Sequence, residues 1–234
     1  MITVRNAADR GHANHGWLDS FHTFSFADYY DPRFEGFRTL RVINEDRVDG
    51  GQGFGRHGHR DMEILSYVLE GQLAHKDSMG TEGVLKPGDV QRMSAGTGVQ
   101  HSEANGSKSE GVHFLQIWLI PEARGIAPSY EQKHFPDAAK HGALVWLAAK
   151  DRREGAMALN TDAAVGATIL SGGQKVTHPL AAGRSGWVQV ARGTLKLNGQ
   201  VLKEGDGAAV QGEPTLVLEG VAGQQGEALI FDLP

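Results

Sequence analysis

One phrase in this sequence occurs twice, and the repetition restricts what the chain can fold into. Val68-Leu-Glu-Gly71-Gln-Leu73 followed by Leu85-Lys-Pro-Gly88-Asp89 is echoed by Val190-Ala-Arg-Gly193-Thr-Leu195 followed by Leu202-Lys-Glu-Gly205-Asp206. Each copy reads as a strand, a turn glycine, a second strand and a Gly-Asp turn, and a repeat this long marks a duplicated β domain. With 234 residues there is length for two such domains. The 32 glycines and eight prolines, set among short apolar runs, supply the turns an all-β fold needs. No long amphipathic helix shows in the first half. Strands are expected at 39–43, with a turn at 44–46, and then at 64–71, 84–87 and 112–120. In the second half they are expected at 143–149, 164–170, 186–191, 194–197, 208–211, 215–218 and 228–233, with Asn198-Gly199 as a hairpin turn.

Pro121, Pro128 and Pro136 in a stretch poor in apolar residues mark a linker. The expected organisation is a first domain over 1–120, a linker over 121–140 and a second domain over 141–234. Cysteine is absent, which excludes disulfides, iron–sulfur clusters and thiol nucleophiles and leaves nitrogen and oxygen as the only metal donors. A formal charge of -5 without clustered Lys and Arg gives no reason to expect direct nucleic-acid binding. The opening residues have no apolar run of signal-peptide type, and no stretch is long enough to span a bilayer. A cytoplasmic protein without a membrane partner is the expectation.

The first domain carries two polar phrases, His57-Gly-His59 and His101-Ser-Glu103. Side chains two apart on a strand share a face, about 7 Å from one another. Should the two strands face each other across a barrel, three imidazoles and one carboxylate converge on one point, a donor set suited to a divalent first-row metal. The second copy serves as a control. Aligning Gly71 with Gly193 places Pro179 and Ala181 where His57 and His59 stand, and aligning Asp89 with Asp206 places Leu218 and Gly220 where His101 and Glu103 stand. Only His178 lies nearby, so the second domain is expected to hold no metal.

Other candidates carry less weight. His12, His15 and His22, in a polar-aromatic segment, are expected to bond backbone or face solvent, and 22–26 alternates like a strand. Gly50, Gly51, Gly53 and Gly55 lack the GK[ST] of a phosphate loop and read as turns feeding a strand. His75 and His113 are expected to hydrogen-bond beside the site, and Phe24, Phe26, Phe54, Phe114 and Trp118 to fill the core, with one or two of them also lining a substrate slot.

At these residues the chain resembles the cupins. That pattern pairs a His-x-His element, followed by Glu and Gly, with a second element in which Gly-x5-Pro-x-Gly precedes His-x3-Asn. His57-x-His59 fits, Gly88-x5-Ser94-x-Gly96 fits with Ser for Pro, and His101-x3-Asn105 fits with two extra residues before the histidine. The usual glutamate position, seven before Gly71, is Ile64; Glu63 is one residue off and faces the other way, so Glu103 takes the carboxylate role. This exchange, with His15-Gly-Trp-Leu-Asp-Ser, His22-Thr-Phe-Ser-Phe, Asp61-Met-Glu-Ile-Leu-Ser-Tyr and Met93-Ser-Ala-Gly-Thr-Gly, resembles the pirin family. The resemblance implies a bicupin of two tandem jelly-roll barrels, with a mononuclear metal held by His57, His59, His101 and Glu103 in the first.

It also implies a metal-dependent dioxygenase of the quercetin 2,3-dioxygenase type, acting on a flavonol or related enol-phenol with O2. Iron(II) is the expected ion, with manganese, cobalt, nickel, copper and zinc as alternatives. Glu103, at the metal edge, would accept the substrate hydroxyl proton. The alternative reading is an iron redox-sensing regulatory protein that meets a protein partner and turns nothing over. A third, an isomerase or sugar-binding cupin, lacks a lysine or acid–base pair near the ligands.

Overall fold

A computed structural model describes all 234 residues. The chain divides into two β units, one of Gly11–Gly36 and Leu40–His134, the other of Met1–Arg10, Phe37–Thr39 and Phe135–Pro234. Both are of jelly-roll type. The single α-helix is the short Asp137–Lys140, and no helix is long and apolar enough to cross a membrane.

In the first unit a seven-stranded antiparallel sheet runs in the order Ser129–His134, Asp89–Ser94, Glu63–Glu70, Val112–Leu119, Leu40–Val48, Leu18–His22, Gly11–Asn14. A four-stranded sheet runs Gly53–His59, Val99–Asn105, Leu73–Asp77, Glu82–Leu85. Leu73 and Leu85 of the smaller sheet pack with Val48, Val68, Val112 and Phe114 of the larger to form the core. Each such side chain contributes about 1.5–3 kcal/mol by leaving water.

Two polar stretches differ from expectation. The turn expected at 44–46 is the middle of the strand Leu40–Val48, which pairs on one edge with Leu18–His22 and on the other with Val112–Leu119. Its polar side chains do not end the strand because each finds a partner. Asn44 meets His22, Glu45 meets His113 and Arg47, and Asp46 accepts from Ser20. Within the expected linker, Ser129–His134 forms a strand along Asp89–Ser94, anchored by Arg92 to Ser129 and Glu131. The alternation expected at 22–26 is not a strand: the strand Leu18–His22 ends there, and beyond it Phe26 makes only an isolated bridge to Tyr29.

The second unit orders Ile2–Arg5, Gly207–Gln211, Ser185–Leu197, Gln225–Leu233, Ala164–Ser171, Val145–Ala149, Met157–Ala158, with Lys175–Pro179, Thr215–Gly220 and Gln200–Lys203 completing it. Residues 1–10, expected in the first domain, belong here because Ile2–Arg5 covers the otherwise open edge of Gly207–Gln211. The repeat is visible atom by atom. Gly71 and Gly193 both hold positive φ, 74° and 66°. Asp89 accepts from the Lys86 N–H at 2.9 Å, and Asp206 accepts from the Lys203 N–H at 2.8 Å.

Candidate metal and substrate site

The two motif strands are neighbours in the four-stranded sheet rather than opposing walls. Gly53–His59 pairs antiparallel with Val99–Asn105, placing His57 opposite His101, and the register shifts between His101 and Glu103. On the other edge Leu73–Asp77 places His75 opposite Glu103 and Asp77 opposite His101. Directly opposed residues share a face. Period two therefore gathers His57, His59, His75, Asp77, His101 and Glu103 on one side of the sheet.

The imidazoles of His57, His59 and His101 form a near-equilateral triangle, with ring centroids 4.5, 4.8 and 4.8 Å apart. The Gly55 carbonyl accepts from His57 Nδ1 at 2.8 Å, so in the neutral ring Nε2 carries the lone pair. That Nε2 lies 3.0 Å from His101 Nε2. Two nitrogens each about 2.1 Å from one ion, at right angles, stand about 3 Å apart. The donor set and its spacing thus fit a divalent ion. Burial, with the neighbouring His57 adding to it, brings His59 down to about 4. Burial and the neighbouring histidines bring His101, 1% exposed, down to about 3. Both rings are neutral at physiological pH, the form in which imidazole binds metals.

Glu103 joins this triad through His101. One donor atom from each of His75, His101 and Glu103 forms a second buried group whose members lie within 4.8 Å of one another, as do those of the triad. Glu103 Oε1 accepts from Ser66 at 3.1 Å and Oε2 from Gln116 at 2.7 Å, which fixes the carboxylate plane. Burial raises the Glu103 carboxyl, opposed by His75, the Ser66 hydrogen bond, His57 and Gln116. His75 Nε2 bonds Asp77 at 3.0 Å, both side chains wholly buried. Glu63 lies on the larger sheet, opposite Ser94 and Leu119, and belongs to neither group. His113 is bonded to Glu45 at 3.0 Å.

A cavity of about 420 Å³ opens beside the triad and is lined by His57, His59 and Glu103 among others. This is the size of a small-molecule pocket. Phe26, Tyr29, Phe54 and Trp118 supply aromatic walls, while Asn44, Asp46 and Gln116 supply polar ones. Phe24 and Phe114 are core, as expected; Phe54 and Trp118 do both, packing against core clusters and lining the cavity, which Phe26 also lines. The N-terminal histidines His12, His15 and His22 also line it. Asp46 is the residue the sequence reading missed. Its signal was there, since Asn44 and Asp46 keep the period of two set by Val42 and Val48.

Jelly-roll units with histidine and carboxylate donors gathered on one sheet beside a small-molecule cavity define a cupin. Residues 3–119 match the Pirin family model, and residues 146–233 match the one described as the quercetinase C-terminal cupin domain. The chain belongs to the pirin family. A relative from Escherichia coli strain K12 named quercetin 2,3-dioxygenase is 48% identical over 234 residues, covering 100% of this chain and 99% of that protein. The crystal structure of YhhW from Escherichia coli matches with a TM-score of 0.95 at 46% identity, over 100% of this chain and 98% of that one. The bacterial pirin YhhW from Escherichia coli in complex with nickel(II) matches with a TM-score of 0.94 at 46% identity, over 100% and 99%.

Proposed function

We propose that this protein holds one divalent ion through His57, His59, His101 and Glu103 and is a dioxygenase that opens a flavonol or related enol-phenol with O2. The observation that carries the reading is the triad of imidazoles, two of them held neutral by burial, bordering an aromatic-walled cavity. The name of the 48% identical relative and the nickel complex of YhhW support it. Iron(II) is the proposed native ion; nickel is the one supported by a relative. A bound ion supplies Lewis acidity toward a substrate hydroxyl and a place where substrate and O2 meet.

The protein's own groups do the rest. The Gly55 carbonyl holds His57 in one tautomer, and Ser66 and Gln116 hold the Glu103 carboxylate in one plane. Phe26, Tyr29 and Trp118 wall the cavity and would hold a planar polyphenol there away from water. Purified protein loaded separately with iron(II) and nickel(II) tests the reading through quercetin consumption with and without O2. Loss of quercetin together with stoichiometric O2 uptake is expected in air, and none without O2. Oxygen-independent loss, or no turnover with any divalent ion, would overturn it in favour of a regulatory protein.

A further inference from the structure

We propose that Asp46, rather than Glu103, accepts the hydroxyl proton of the phenolic substrate. This assignment rests on the dioxygenase reading and names the base it requires.

Glu103 is poorly placed for the task. Both of its oxygens already accept hydrogen bonds, from Ser66 and Gln116, and as a metal ligand it gives up a further lone pair. Asp46 stands differently. It lines the same cavity from the strand Leu40–Val48 and is only 5% exposed. Its Oδ1 accepts from the Ser20 hydroxyl, and its Oδ2 accepts no hydrogen bond from the protein. A buried carboxylate with one donor for two oxygens is under-solvated, and a proton from a neighbouring hydroxyl relieves that.

Before an ion binds, burial pushes the Asp46 carboxyl up to about 7 against the Ser20 hydrogen bond, with the charges of Glu103 and Glu45 adding to the rise. A general base is most effective when it titrates near the working pH. In the step, the substrate O–H bond breaks, its proton moves to Asp46 Oδ2, and the electron pair stays on the substrate oxygen as phenolate. The neutral carboxyl keeps the Ser20 hydrogen bond and returns the proton to solvent once product has left.

Binding of quercetin without O2, read by absorption, separates the two states because the flavonol anion absorbs at longer wavelength than the neutral form. Wild-type protein at pH 7 is expected to give the anion band. Asp46→Asn is expected to bind quercetin with the neutral band and to lose kcat by about 100-fold, with metal content unchanged. An anion band and undiminished kcat in Asp46→Asn overturn the assignment and leave the dioxygenase reading standing. A wild-type complex showing only neutral flavonol overturns both. Should the asparagine variant not fold, Asp46→Glu displaces the carboxyl by one methylene; its kcat is expected to fall about 10-fold or more at full metal content, and an unchanged kcat overturns the assignment.

Discussion

His57 shows how much of a candidate metal centre is prepared by contacts that need no metal. A backbone carbonyl two residues earlier fixes its tautomer, and a cross-strand neighbour places a second nitrogen 3.0 Å away. Burial, with help from neighbouring imidazoles, does the rest at His59 and His101, held down to about 4 and about 3. Unfolded histidine titrates near 6.5. The folded protein therefore binds fewer protons than the unfolded chain as pH falls below 6.5, and metal-free protein loses stability from there down toward pH 3. Protons compete for the bound form only in the lower part of that window. Metal content followed by equilibrium dialysis is thus expected to stay flat from pH 8 to about 5.5 and to fall below pH 5. A release midpoint near 6.5 would show that burial does not tune these rings. The histidines could be read from the sequence because their spacing is that of one strand face. Asp46 was harder to read: it keeps the strand's period of two, but Asn-Glu-Asp looks like a turn until Ser20, His22 and His113 arrive from elsewhere in the chain to satisfy it.

Among the structural elements, the turn glycines carry the repeat. Gly71 sits at φ 74°, and a Cβ there would collide with the Gly111 carbonyl; Gly193 at φ 66° would collide with that of Gln225. Gly80 has a similar φ of 88° with nothing within 4 Å of an added Cβ. Gly80→Ala is expected to cost about 1 kcal/mol, from the left-handed backbone alone, and Gly71→Ala roughly 2–4 kcal/mol because the neighbouring strand must also move. Urea unfolding of the two variants checks the difference, and equal losses would contradict it. These turns were legible because glycine chemistry is local. The edge strands were not. Ser129–His134 lies among three prolines and has little apolar alternation of its own. It forms because Asp89–Ser94 offers an unpaired edge and Arg92 reaches across to Ser129 and Glu131. Ile2–Arg5 likewise owes its strand to an edge more than two hundred residues away.

Taken as a whole molecule, the chain holds two copies of one scaffold, and the two clusters of histidine and glutamate donors with the spacing to hold an ion lie in the first. In the second unit Leu218, aligned with His101, faces Val176 across the sheet, and both belong to an aliphatic core. The sequence alignment had put Pro179 in the facing position, three residues away from the register seen. His178, the one nearby histidine, bonds Asp232 at 2.8 Å, and Arg184 bonds both Asp232 and Asp162. An ion pair and aliphatic packing thus fill the second unit at these positions. The duplication, the fold class and the clustering of His57, His59 and His101 were all legible in the sequence. The side-by-side placement of the donor strands and the contribution of residues 1–10 to the second unit depend on long-range pairing that local pattern does not encode. The most direct test of the account is the metal stoichiometry and coordination of the full chain, by elemental analysis and X-ray absorption on wild type and His101→Ala. One ion per chain with three nitrogen ligands from imidazole and one carboxylate is expected, lost in His101→Ala; two ions per chain, or one that survives removal of His101, would contradict it.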